Sequence, residues 1–348
     1  MRKNLKVYSG ISILFVVLIH SNAYYLNHIS LNETSNVMKL LINMEHIAVP
    51  MFIFIAGYKY ELTKKNRDIK KYYKSKINNI IKPTLIISIL WIVLFLLLAI
   101  VKKGLNGQNI DVFFYIKVLF YRIGQIFIGN NDIYQLWYIP MYILITFSYP
   151  FIEKYVKGYK RMVIFSGLAI FQSIGSGYIN ILGKHPLDFI YYFAFFEMGI
   201  LFYRKENKIN LNRVVIFIIY STSLIASVYI LDEIISKILV RCIIYPAGVI
   251  AFYYIAQYLQ NSKIFNILGE YSFSIYVLHE PVVLSALGSI VEKMRLYNNW
   301  IWVPIISSLG IITCIYIYKF TLMFKVGKLF WNKQNYLANI KKTFKTNI

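Results

Sequence analysis

The chain carries five histidines and 15 carboxylates among its 348 residues, and several of them fall inside stretches apolar enough to lie in lipid. His20 stands near the far end of "YSGISILFVVLIHSNAYYLN" (8–27). A titratable ring in such a run is costly unless it faces a cavity or a partner. An imidazole poised near neutral pH suits a general base or the activation of a nucleophile. The commoner fate of a lone histidine is a neutral ring bonded to a neighbouring helix, and spacing alone favours that. In "LGEYSFSIYVLHEPVV", Ser272, Tyr276 and His279 fall at i, i+4 and i+7, so they share one helix face. Glu280-Pro281 adds a carboxyl and a kink to the same run. A polar stripe with a helix break in mid-membrane is expensive unless it lines a site. His279 and Glu280 therefore join His20 as candidate catalytic groups. Glu45 and His46 open "MEHIAVPMFIFIAGYKYEL", where Pro50 frees a carbonyl one turn earlier; they either belong to the site or sit wet at an interface. Glu197 and Arg241 are weaker candidates, each near a helix end or serving as a simple ion-pair partner.

These residues need elements to hold them, and the composition says which. Apolar residues make up 58% of the chain and the mean hydropathy is +0.55, against roughly 45–50% apolar in soluble domains. Spans need about 20 apolar residues, and ten segments qualify: 5–26, 40–61, 80–101, 133–152, 162–182, 187–203, 213–231, 238–259, 267–290 and 301–323. Lys184, His185 and Pro186 make a tight turn before the sixth. Arg2, Lys3 and Lys6 precede the first run, which is too long for a signal-peptide core and lacks a cleavage site, so it reads as a retained span. The fold expected is an all-α polytopic membrane bundle with both termini cytoplasmic.

Charge supports that count. With the N-terminus inside, 28 of the 38 Lys and Arg fall in cytoplasmic segments, as the positive-inside rule requires. The net charge of +23 is then mainly a topology signal and speaks against nucleic-acid binding. The segment 110–129 carries Lys117 and Arg122 within apolar residues; counting it as a span would flip every later helix, so an interfacial or re-entrant amphipathic segment is expected. Residues 1–325 form the membrane domain and 326–348 a basic cytoplasmic tail. Two cysteines inside apolar runs, Cys242 and Cys314, predict neither a disulfide framework nor a metal site.

The densest basic cluster, "KKNRDIKKYYKSKINNIIKP" (64–83), has two readings. One is a solvated loop touching anionic lipid. The other is a landing site for an anionic donor such as a nucleotide or coenzyme A. Lys82 is distinctive, because Pro83 fits the first turn of the next helix and sets Lys82 at its cytoplasmic mouth.

Taken in order, "SGISILFVVLIHS", "VPMFIFIAGY", "KSKINNIIKP", "LWYIPMYIL", "FFEMGILFYR" and "LGEYSFSIYVLHEPV" resemble the acyltransferase-3 family. These are bacterial membrane O-acyltransferases, here of the surface-polysaccharide-modifying type. The motifs run from Ser9 to Val282; each alone is weak, and the ordered set is specific. The resemblance implies a ten-helix core, an acyl-coenzyme A donor from the cytoplasm, no bound cofactor, and a polysaccharide or lipid-linked sugar as acceptor. It implies that His20 is the catalytic histidine. It also implies a basic residue eleven positions earlier, about 16 Å away along the same helix face. Here that position is Ser9, so Lys6 or the basic loop must supply the missing charge or donor binding is altered. Arg67, Lys74, Lys76 and Lys82 would then attract the donor. Trp137 and Tyr138 offer stacking for a sugar ring, with Tyr276, Glu45 and His46 also on the acceptor side. The rival readings are a non-catalytic polysaccharide exporter of the same fold and a sensor whose histidines merely pack.

Overall fold

A computed structural model describes residues 3–26, 35–64, 68–128, 137–156, 158–175, 188–205, 212–230, 232–295, 299–325, 327 and 331. The described residues are helical throughout, with turns between. Among the described residues, six helical runs are long and apolar enough to cross a membrane: Lys3–Leu26, Asn36–Leu62, Ile69–Leu105, Ile235–Tyr258, Lys263–Lys293 and Trp302–Thr321. The chain falls into two compact units, 1–66 with 141–314 and 67–140 with 315–348.

The first unit is built on α1 (Lys3–Leu26), α2 (Asn36–Glu45), α3 (Ala48–Leu62), most of α7 (Tyr138–Tyr155), α8 (Tyr159–Gly175) and α9 (Asp188–Lys205). It continues through α10 (Arg213–Tyr229), α11 (Glu233–Leu239), α12 (Tyr245–Tyr258), α13 (Lys263–Leu278), α14 (Leu284–Lys293) and the first part of α15 (Trp302–Thr321). Two glycine pairs set its closest crossings. A Cβ on Gly10 would strike the Phe265 carbonyl and one on Gly269 that of Lys6; the same reciprocity joins Gly57 to Phe196 and Gly199 to Phe54. Small residues at such points let membrane helices meet backbone to backbone. Gly10 meets Gly269, and ten residues farther along each helix His20 meets His279, so α1 and α13 run parallel. Likewise Gly57 lies against Phe196 and Glu61 pairs with Arg204, so α3 and α9 run parallel. Consecutive α8 and α9 are antiparallel, with Arg161 bonded to Glu197 and Phe165 stacked on Phe193.

In the second unit Asp68 caps α4 (Ile69–Lys76) through the Lys70 main-chain N–H. A π turn (Ile77–Ile81) carries α4 straight into α5 (Lys82–Leu105), with Pro83 in its first turn. The basic stretch expected as a loop is thus helical from Ile69 onward, because Asp68 caps its start and it continues without a break into the apolar α5. The segment 110–129 forms α6 (Val112–Ile128) and packs on α5 through Ile92, Leu96, Tyr115 and Ile126. Its opposite face exposes Phe113, Phe120 and Tyr121, with the Lys117 ammonium 4.7 Å from the Phe113 ring.

Other expected boundaries shift in instructive ways. The second span is two helices, α2 and α3, broken at His46-Ile47, where Pro50 removes the donor that would bond the His46 carbonyl. The expected 133–152 and 162–182 spans appear as α7 and α8; residues 133–136 and 176–182, the Lys184-His185-Pro186 turn, Arg67 and nearly all of the 326–348 tail lie outside the described residues.

Candidate active site

The site forms where the last two turns of α1 lie beside the break between α13 and α14. The residue before a proline is pushed out of the helical region, and Glu280 takes extended angles (φ −125°, ψ 154°) ahead of Pro281. This interrupts the helical run and turns His279 and Glu280 inward; both are buried.

His279 is fully enclosed, and its Nδ1 lies 2.8 Å from the Tyr276 carbonyl and 3.1 Å from that of Ile275. Carbonyls only accept, so Nδ1 bears the proton and donates. That fixes the tautomer and leaves Nε2 as the basic nitrogen, buried and without a hydrogen-bond partner. The His279 ring lies against His20 on α1, centroids 5.0 Å apart, and Tyr276 flanks it at 6.0 Å. His20 is only half-buried. The arrangement is a reachable imidazole backed by a locked one.

Two polar residues of α1 close in sequence to His20 each hold a buried carboxyl. Tyr24, four residues beyond His20 and so on the same face, donates to Glu280 Oε1 at 2.9 Å. Ser285 donates to Glu280 Oε2 at 3.0 Å and lies 2.7 Å from the Tyr24 hydroxyl. Both oxygens of Glu280 are therefore engaged. On the other side Asn22 Nδ2 donates to both oxygens of Glu45, at 2.6 and 2.7 Å, and both residues are buried. Glu45 is thus a packed, hydrogen-bonded carboxyl, not a wet one. His46, in contrast, is exposed, with Nδ1 donating to Ile42 O. Asn22, Tyr24 and Ser285 were not anticipated from sequence. The signal for Tyr24 was its i+4 spacing from His20; the pairing of Asn22 and Ser285 depends on neighbours that spacing does not show.

Ser9 is buried on α1, and Lys6, one turn earlier, pairs with Glu270 at 2.7 Å, so its charge is already matched. Lys74 and Lys82 are exposed on α4 and α5, and the Lys76 ammonium lies 5.3 Å from the Tyr72 ring. Trp137 and Tyr138 stand at the entry to α7, half-buried. These five belong to the second unit.

Away from the histidines, Glu197 is an ion-pair partner. Arg161 reaches it through Nε at 3.2 Å, and Tyr149 donates to the same carboxylate. At the end of α3, Glu61 takes Arg204 in a two-point contact (2.8 and 3.1 Å), and Glu153 takes Lys64 at 2.5 Å and Tyr60 at 2.9 Å. Burial pushes the Glu153 carboxyl up, but the bonds from Lys64 and Tyr60 outweigh it and hold the group below its usual range. The Arg241 guanidinium lies 4.3 Å from the Tyr191 ring. These cations are occupied by carboxylates or rings.

A family model described as an acyltransferase domain (Acyl_transf_3) matches residues 8–319. The chain belongs to the acyltransferase-3 family. The match spans both histidines and, with the apolar helices, supports a multi-pass membrane acyltransferase. Searches of curated proteins and of solved structures returned no match.

Proposed function

We propose that this acyltransferase moves an acetyl or succinyl group from acyl-coenzyme A to a sugar hydroxyl of a cell-surface or exported polysaccharide. The observation that carries this is the His20–His279 pair, in which one ring is reachable and the other has its tautomer fixed. His20 accepts the acceptor hydroxyl's proton as that oxygen attacks the thioester carbonyl. The new C–O bond forms, the C–S bond breaks, and the proton passes to the departing coenzyme A thiolate. His279 holds the His20 ring in place and offers Nε2 as a second acceptor for the proton. Glu280, with both oxygens engaged, positions Tyr24. Acyl-coenzyme A is a co-substrate and no cofactor is required.

Lys74, Lys76, Lys82 and Arg67 would draw the anionic donor from the cytoplasm, replacing the charge that Ser9 lacks; Trp137, Tyr138 and Tyr276 would serve the acceptor. This reading places the protein in the bacterial cytoplasmic membrane, with ten crossings and both termini inside. The parallel runs of α1 with α13 and of α3 with α9 support that count. Parallel helices cross a bilayer in the same sense, and α6 as an extra crossing would make both pairs antiparallel. The test is mass analysis of the surface polymer from cells lacking the gene and from cells carrying His20→Ala. Both should lack the acyl mass. Undiminished acylation with His20→Ala would overturn the enzyme reading, and loss of polymer export itself would favour the exporter.

A further inference from the structure

Tyr24, Glu280 and Ser285 make three oxygen–oxygen contacts. The Tyr24 hydroxyl lies 2.9 Å from Glu280 Oε1, Ser285 lies 3.0 Å from Glu280 Oε2, and the two hydroxyls lie 2.7 Å apart. All three are hydrogen-bond distances, and the last is the usual O–H···O length. Two hydroxyls bring two protons, and an ionised carboxylate brings none. If both hydroxyls donate to Glu280, no proton lies between the Tyr24 and Ser285 oxygens, and lone pairs face each other at 2.7 Å. If either hydroxyl turns to the other, an oxygen of the buried Glu280 loses its partner, which is costly. A third proton removes the conflict. With Glu280 as a carboxylic acid one of its two bonds reverses, and three O–H groups serve three contacts around a closed ring.

We infer that Glu280 holds a proton and closes a three-bond ring with Tyr24 and Ser285, which positions His20 against His279. Tyr24 stands one helical turn beyond His20, and Glu280 follows His279 directly. The ring therefore ties the end of α1 that carries His20 to the break that carries His279. Its seat is built on both sides. A Cβ on Gly288 of α14 would come within 2.6 Å of the Tyr24 ring, and Ser307 of α15 donates to Ser21 of α1 at 2.9 Å. The proton also bears on the chemistry. A carboxylate beside the imidazole pair would favour keeping a proton there, whereas the proposed transfer needs that proton passed to the thiolate. A neutral ring fixes the geometry without adding that charge. Tyr24 and Ser285 are then positioning residues. The ring itself stands apart from the proposed reaction; its effect on rate rests on that reading.

The test uses the full chain in lipid nanodiscs. Infrared difference spectra between wild type and Glu280→Gln isolate one of the 15 carboxylates. The wild type should show the carbonyl stretch of a protonated carboxylic acid that the variant lacks. Tyr24→Phe takes one O–H from the ring and should move that band to higher frequency, as a carbonyl does on losing a hydrogen bond. A difference spectrum with ionised-carboxylate bands alone would overturn the proposal. Should Glu280→Gln alter the elution profile of the protein, an acid region identical in wild type and Tyr24→Phe would overturn it equally. Rates of acyl transfer give the second readout. Tyr24→Phe and Ser285→Ala should each lower kcat about tenfold with the donor KM unchanged. The double variant should lose little more than either alone, because one break opens the whole ring. Losses that multiply in the double variant would contradict the ring. Failure of the catalytic reading shows separately, as acyl transfer that survives His20→Ala while the infrared band stays in place.

Discussion

An imidazole whose Nδ1–H is held by two main-chain carbonyls has one thing left to offer, the lone pair on Nε2. His279 is in that state beside His20. An asparagine there can still donate to the same carbonyls but has no titratable nitrogen, so His279→Asn separates packing from chemistry. Initial rates of acyl transfer should fall about a hundredfold with the melting temperature nearly unchanged; a rate close to wild type would show that His279 only fills space. The sequence reveals this pair only halfway. His20 and His279 each stand out as polar residues in apolar runs, but they are 259 positions apart, and nothing in their spacing says they touch. Asn22 is legible only once α2 is seen to bring Glu45 against it.

What brings the two histidines together is the approach of α1 to α13, and two hydrogens in place of side chains permit it. Alanine at Gly269 would drive its Cβ into the Lys6 carbonyl, whereas Gly124 has nothing within 4 Å. Gly269→Ala should therefore cost about 1–3 kcal/mol through overpacking and lose activity as the rings separate. Gly124→Ala should be neutral or gain up to about 1 kcal/mol from helix propensity. Thermal unfolding of the two variants, measured side by side, decides it; equal stabilities would mean the crossing tolerates bulk. At this scale the apolar runs were readable as helices, and Glu280-Pro281 as a break. The helical course of Ile69–Lys76 was not, because lysines read as loop when a capping aspartate is overlooked.

Across the whole molecule, helix directions connect the fold to the membrane. If α6 does not cross, Asn106 after α5 and Asn212 before α10 face opposite sides. In a protein with Cys242 and Cys314 replaced by serine, an impermeant maleimide added to intact cells should label Asn106→Cys and spare Asn212→Cys. Labelling of both would place an extra crossing between them. The charge distribution pointed the same way from sequence alone, since lysines and arginines mark the cytoplasmic side. The helix directions add a check that composition lacks, because they come from which residues of the two helices meet and not from how many charges lie on each side.

The central claim, that His20 with His279 performs acyl transfer to a sugar, is tested most directly with purified protein in proteoliposomes. Isotope-labelled acetyl- and succinyl-coenzyme A are supplied on one side with the unacylated surface polymer as acceptor, and label in the polymer is counted for wild type and His20→Ala. The proposed mechanism predicts label in the polymer with wild type and a loss of at least about a hundredfold with His20→Ala. Label transferred equally by both proteins would contradict it.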